Sequence, residues 1–198
     1  MAAEPTDEIL EATYRALCEH GYADLTVQDI ADNSEKSKAT IHYHYDSKQE
    51  LFEAFLEYLY EDYTEHLDAV GGDTYREQLL ALVEFSLAEG GDVPGIDFRT
   101  AMLEIKAQAP YDEGFRDRLG EFDRYLAERI ESIVAGGVAA GEFRGDVDPE
   151  TTAEFLVTTI KGAHTRRVSV NHPLDRIRET LTEYVETRLV ADGAEVSA

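Results

Sequence analysis

Residues Leu25–Leu51 read LTVQDIADNSEKSKATIHYHYDSKQEL and hold three short helical patterns, each introduced by its own cap. Thr26 is placed to accept a free backbone N–H of the turn that follows. Val27, Ile30 and Ala31 then share one helix face at spacings of three and four. Asn33-Ser34-Glu35 breaks that helix with turn-forming side chains. Ser37 caps a second short helix, whose apolar anchors are expected to be Ala39 and Ile41. Tyr45-Asp46-Ser47 ends it, and Ser47 opens a third helix with Glu50 at the capping-box spacing. Two short helices joined by a tight turn match a helix-turn-helix. Away from its anchors, the second helix and its approach present Lys36, Ser37, Lys38, Thr40, His42, Tyr43 and His44. These are donors and amphipathic rings suited to phosphate oxygens and base edges. Thr26 is expected on a phosphate. A cation at a helix N-terminus opposes the helix dipole; from the residues alone a bound phosphate and a solvated lysine explain Lys48 equally.

The same stretch resembles the DNA-binding signature of the TetR (tetracycline-repressor-like) regulators. That signature runs roughly T-x-x-D-I-A, then S-K-x-T-[IL]-Y-x-Y-F, then S-K-E-E-L. Thr26, Asp29, Ile30, Ala31, Ser37, Lys38, Thr40, Ile41, Ser47, Lys48, Glu50 and Leu51 fit it, and with the preceding helix the likeness covers about residues 6–56. Glu35-Lys36 stands where the family usually has Gly-Val, and His42, His44 and Tyr45 replace Tyr, Tyr and Phe. The resemblance implies a phosphate contact for Lys48, a DNA-binding head over residues 1–50 and a helical ligand-binding and dimerisation body over residues 51–198. It implies a homodimer on double-stranded DNA with a pseudo-palindromic operator, and a repressor released by a small-molecule effector. The effector is expected among the helices from Tyr75 to Ala140, with Phe85, Phe98, Met102, Phe115, Phe122 and Tyr125 as candidate lining or ordinary core. In the family the last two long helices pair with their twins. Here they carry Phe155, Leu156, Ile160, Gly162, Ala163, Arg166, Arg167, Ile177, Leu181, Tyr184 and Val185. Gly162 and Ala163 would allow close helix approach, and Arg166 and Arg167 would pair with acids across the seam or cap a helix end.

The charge bears on this reading. The net charge is −24, from 42 acidic against 18 basic residues. DNA-binding proteins usually carry basic patches, because backbone affinity is electrostatic. One explanation is a cytoplasm of molar salt, where the Debye length falls to about 3 Å and self-repulsion is screened. The other is an all-helical ligand-binding or protein-interaction module that has lost DNA binding. Three of the chain's five lysines, Lys36, Lys38 and Lys48, fall in residues 36–48, where Asp46 is the one acid. The surface meant for DNA is thus spared, which favours the first explanation. The acid-rich, lysine-poor composition resembles that of halophilic archaeal proteins.

Helical periodicity continues through the chain, giving an all-α protein of about nine helices. A first helix starts at Thr6 or Asp7 and stops at Gly21; a fourth runs from Lys48 to about Val70. Further helices are expected over 75–87, 98–109, 112–140, 148–170 and 174–190, with Gly136-Gly137 weakening the end of the longest. The strongest loop signal is Glu89–Gly95, and frayed tails are expected at both termini. No apolar run reaches membrane-span length, and no signal peptide is evident, so a cytoplasmic protein is expected. The single Cys18 excludes an internal disulfide and reads as a core thiol. His42 and His44 are two apart and point apart on a helix, so no metal site is expected. No cofactor motif or catalytic constellation is present, and an enzyme is not expected. Glu104 and Asp97 are expected on the surface.

Overall fold

The computed structural model describes residues 5–89 and 95–191. The expected terminal tails and most of the expected Glu89–Gly95 loop lie outside those residues. The described chain forms nine α-helices: α1 (Pro5–Asp24), α2 (Val27–Asp32), α3 (Lys38–His44), α4 (Lys48–Ala69), α5 (Tyr75–Leu87), α6 (Ile96–Gln108), α7 (Glu113–Ala140), α8 (Pro149–Val170) and α9 (Asp175–Tyr184). A single π-helical turn, Val185–Leu189, follows α9. Among the described residues the only extended pairing is one isolated bridge between Phe143 and Val190. No helix of the described residues is long and apolar enough to cross a membrane.

Local chemistry explains the helix ends. Thr26 and Asp29 form a reciprocal capping box, as do Thr74 and Glu77. Asp148 caps α8 with Pro149 in its first turn. Gly21 interrupts α1 at φ 72° and ψ 168°, a conformation that strains any residue with a Cβ. Gly136 and Gly137 have a packing role beyond weak helix propensity. A Cβ at Gly136 would clash with the Tyr75 ring, and one at Gly137 with the Phe143 ring. Ala39 is exposed, contrary to the expectation of an apolar anchor, and Ile41 alone holds α3 to the core.

The chain divides into two compact units. The first comprises Met1–Tyr63 with Pro94–Glu121, and the second Thr64–Val93 with Phe122–Ala198. The expected division at residues 50 and 51 falls near the start of α4, and α6 packs on α1 within the first unit. The core of the first unit gathers Ile9, Leu17, Ile30, Ile41, Phe52, Phe55, Ile105 and Phe115. Tyr22 sets its ring edge-on to Phe52 at 4.9 Å and to Phe115 at 5.8 Å. The second unit buries Leu79, Leu82, Val83, Ile130, Val134, Phe143, Leu156, Ile160, Leu181 and Val185.

Candidate nucleic-acid interface

α3 is a short helix held at its start and its middle. Ser37 Oγ accepts from Thr40 N–H at 3.1 Å and lies 2.9 Å from the Thr40 hydroxyl. Ile41 is 1% exposed and anchors the helix against the head's core. These two constraints turn the opposite side outward. Ser37, Lys38, His42 and Tyr43 are exposed, and Tyr43 keeps 85% of its surface open. Thr40 and His44 are half-buried. The His44 ring packs edge-on to Tyr43 at 5.3 Å and tilts toward Tyr45 at 6.4 Å, so it serves the helix end as well as its surface.

The turn before α3 is fixed from a distance. Glu8 of α1 accepts the Glu35 backbone N–H at 3.2 Å and pairs with the Lys36 ammonium at 2.6 Å. The hydrogen bond from Lys36 is the main reason the Glu8 carboxyl titrates below the usual range. Ser34 Oγ takes the Lys36 N–H at 3.0 Å and donates to the Ala31 carbonyl. The Glu35-Lys36 departure from Gly-Val thus has a structural account: both residues are tied to α1 by one carboxylate. Thr26 is exposed at the start of α2; its backbone N–H and hydroxyl both donate to Asp29, at 2.7 and 2.6 Å. Those bonds, the hydroxyl's first, hold the Asp29 carboxyl below its ordinary value.

Lys48 is turned inward, differently from the expected phosphate contact. Its ammonium donates to the Tyr22 carbonyl at 2.6 Å and lies 4.5 Å from the Tyr22 ring centroid. Burial is the chief influence and lowers its pKa, with Asp24, Asp29 and Glu104 opposing that shift. The physical reason is the kink at Gly21, which leaves the Tyr22 carbonyl and ring facing the start of α4. Ser47 still receives Glu50 N–H at 3.1 Å, while Glu50 returns its carboxylate to Asp46 N–H. Glu104, expected on the surface, is half-buried; it accepts Tyr22 N–H at 2.7 Å and Ala23 N–H at 3.2 Å. Neither Glu8 nor Glu104 is signalled by any local motif.

The other expected sites divide. Phe98 and Phe115 belong to the first unit's core, the partly buried Met102 packs against it, and Phe98 stacks on Tyr14 at 4.8 Å. Phe98 and Phe115 are buried there. Phe85, Phe122 and Tyr125 are half-buried in the second unit. Of the expected interface, Leu156, Ile160, Ala163, Leu181 and Val185 turn into the protomer's own core, because helical spacing marks an apolar face without saying what covers it. Phe155 is exposed and pairs with the ring of the half-buried Tyr184 at 4.9 Å, and Gly162 opens onto free space. A groove of about 190 Å³ runs between Gly162, Ala163, Arg166, His172, Leu174 and Ile177. Arg167 pairs with Glu89 and Asn171 of its own chain. No cluster of metal-ligating side chains occurs among the described residues.

The capped, outward-facing α3 on a three-helix head defines a helix-turn-helix DNA-binding protein. The chain belongs to the TetR family of transcriptional regulators. Residues 9–55 match "Bacterial regulatory proteins, tetR family", and residues 75–190 match "BetI-type transcriptional repressor, C-terminal". The chain is 31% identical to the HTH-type transcriptional repressor KstR2 of Rhodococcus jostii, over 77% of this chain and 74% of that one. It is 29% identical to the HTH-type transcriptional repressor AcnR of Corynebacterium glutamicum, over 78% and 77%. Among solved structures it is similar to a TetR transcription regulator from Haloarcula marismortui, with 41% identity and a TM-score of 0.86, covering 93% and 97%. It is also similar to a transcriptional regulator from Saccharomonospora viridis in complex with choline, with 27% identity and a TM-score of 0.79, covering 94% and 98%. Regulators of this family bind operator DNA as homodimers and respond to small-molecule effectors, and none of these relatives is an enzyme.

Proposed function

We propose that this chain is a cytoplasmic repressor, adapted to concentrated salt, whose dimer places each α3 in a major groove of a pseudo-palindromic operator until an effector releases it. The observation that carries the reading is Tyr43, 85% exposed at the outer side of a helix whose inner side is fixed by Ile41. Keeping a large ring in water disfavours the free protein and suits a surface that is covered on binding. Ser37, Lys38, Thr40, His42 and Tyr43 are assigned to base edges and nearby phosphates, and Thr26 to the backbone. His44 supports the helix end. Lys36 and Lys48 reach phosphate only by leaving Glu8 and the Tyr22 carbonyl, so they are assigned first to the head's shape. The dimer seam is assigned to Phe155, Gly162, Arg166, Ile177 and Tyr184 of α8 and α9. The repressor sense follows the named relatives. The −24 charge, with lysine concentrated at the head, supports work in high salt.

The test is fluorescence anisotropy on DNA from upstream of the chain's own gene, in KCl. Tyr43→Ala should reduce preference for the operator over scrambled DNA while the fold is retained. Equal affinity of both proteins for both DNAs would contradict the assignment.

A further inference from the structure

In a chain with 42 acidic residues, a half-buried arginine normally finds a carboxylate. Arg76 holds Glu186, Arg118 holds Glu57 and Glu121, Arg167 holds Glu89, and Arg178 holds Glu84 and Asp175. Arg129 of α7 departs from this pattern. It is half-buried, its Nε is sealed from solvent, and that Nε has no hydrogen-bond partner among the described residues. A guanidinium stays charged at any ordinary pH, so burial cannot be relieved by giving up the proton.

Helical spacing places Arg129 on the flank of α7 that carries Phe122, Tyr125 and Gly136. On that flank the acid Asp68 is already engaged, accepting the Tyr125 hydroxyl at 2.7 Å. Gly136 is occupied by the Tyr75 ring. The next residues around the helix, Leu126, Ile130 and Ile133, are 3% exposed or less. A guanidinium whose buried Nε has no hydrogen-bond partner among the described residues therefore stands between an aromatic row and an apolar row of α7, in the region where the effector is expected.

We propose that the effector is an organic carboxylate with an apolar body, and that Arg129 is its counter-ion; this rests on the reading of the chain as an effector-released operator binder. The planar guanidinium matches a carboxylate with two parallel hydrogen bonds. The apolar part of the ligand lies along Phe122 and its neighbours. A quaternary ammonium, as in the choline-bound Saccharomonospora structure, would meet a like charge here.

The test uses the full-length dimer, Arg129→Gln and Arg129→Lys, with octanoate, benzoate and octyltrimethylammonium as probes at fixed KCl. Melting temperature and operator anisotropy are both read. Octanoate or benzoate should raise the wild-type melting temperature and release operator DNA, while the ammonium does neither. Arg129→Gln should need roughly tenfold more carboxylate or worse. Without probe it should bind operator as the wild type does and melt no lower, because the buried Nε–H it removes has no partner among the described residues. Arg129→Lys should respond at intermediate concentration. An unchanged response in Arg129→Gln, a fall in its probe-free melting temperature, or a wild type that responds to the ammonium and to neither carboxylate would overturn the proposal. If the wild type binds no operator, the repressor reading fails, and the melting data still decide the role of Arg129.

Discussion

Glu8 and Lys36, on α1 and in the turn before α3, are joined at 2.6 Å, and the same carboxylate holds the backbone N–H of Glu35. One side chain therefore sets the height of the turn and withholds a lysine from solvent. Glu8→Gln keeps a hydrogen-bond acceptor and removes the charge. It should free Lys36, lower the melting temperature, and steepen the salt dependence of DNA binding. The lowered Glu8 pKa gives the sign of the pH effect. The folded chain binds this proton less readily than the unfolded chain. The stabilisation is thus full above the ordinary glutamate range and is lost as pH falls through the lowered pKa. The melting difference between wild type and variant should be largest near neutrality and shrink as pH falls below the ordinary glutamate range. A difference that grows toward acid would contradict the pairing.

Glu104 should be worth more than a surface acid. It accepts two backbone N–H groups at the Gly21 kink, where a Cβ on Gly21 would meet its carboxylate oxygens at 3.0 and 3.2 Å. Glu104→Ala should cost about 1–3 kcal/mol, and Glu104→Gln less, because a neutral acceptor remains. Gly21→Ala should cost about 1–3 kcal/mol from a positive-φ, extended-ψ backbone open essentially to glycine alone, before any clash is counted. Thermal melts at fixed KCl check all three; a Glu104→Ala variant that melts with the wild type would remove the clamp.

Two glycines separate fold from assembly. Gly137→Ala drives a methyl into Phe143 and should destabilise the protomer by about 1–3 kcal/mol. Gly162→Ala meets open space within the chain and should leave the protomer as stable or up to about 1 kcal/mol more so. At the proposed seam it should instead raise the dimer dissociation constant. Melting temperature and sedimentation, measured together, check the pair; a Gly162→Ala dimer as tight as the wild type would move the seam elsewhere.

How much was legible follows from distance along the chain. Thr26 with Asp29, Ser37 with Thr40 and Ser47 with Glu50 are three residues apart, so the sequence displays the caps and with them the helix-turn-helix. Glu8 and Glu35 are 27 residues apart, and Tyr22 and Glu104 are 82 apart, so no local pattern marks them. Lys48 reads as outward-facing because a cation at a helix start has no local reason to stay; the carbonyl that holds it comes from α1. Leu156, Ile160, Leu181 and Val185 show a further limit. Their period marks an apolar face, and the protomer's own core, not a second copy, covers it.

The most direct test of the account is the KCl dependence of operator affinity in wild type, Lys38→Ala and Lys48→Ala. With Lys36 and Lys48 held inside the head, Lys38 is the exposed lysine of each reading helix. Two such contacts per dimer predict a log–log slope of about −2, against about −5 if all six lysines released counterions. Lys38→Ala should bring the slope close to zero, and Lys48→Ala should lower the melting temperature while leaving the slope unchanged. A wild-type slope near −5 that flattens by about 2 in Lys48→Ala would contradict the account.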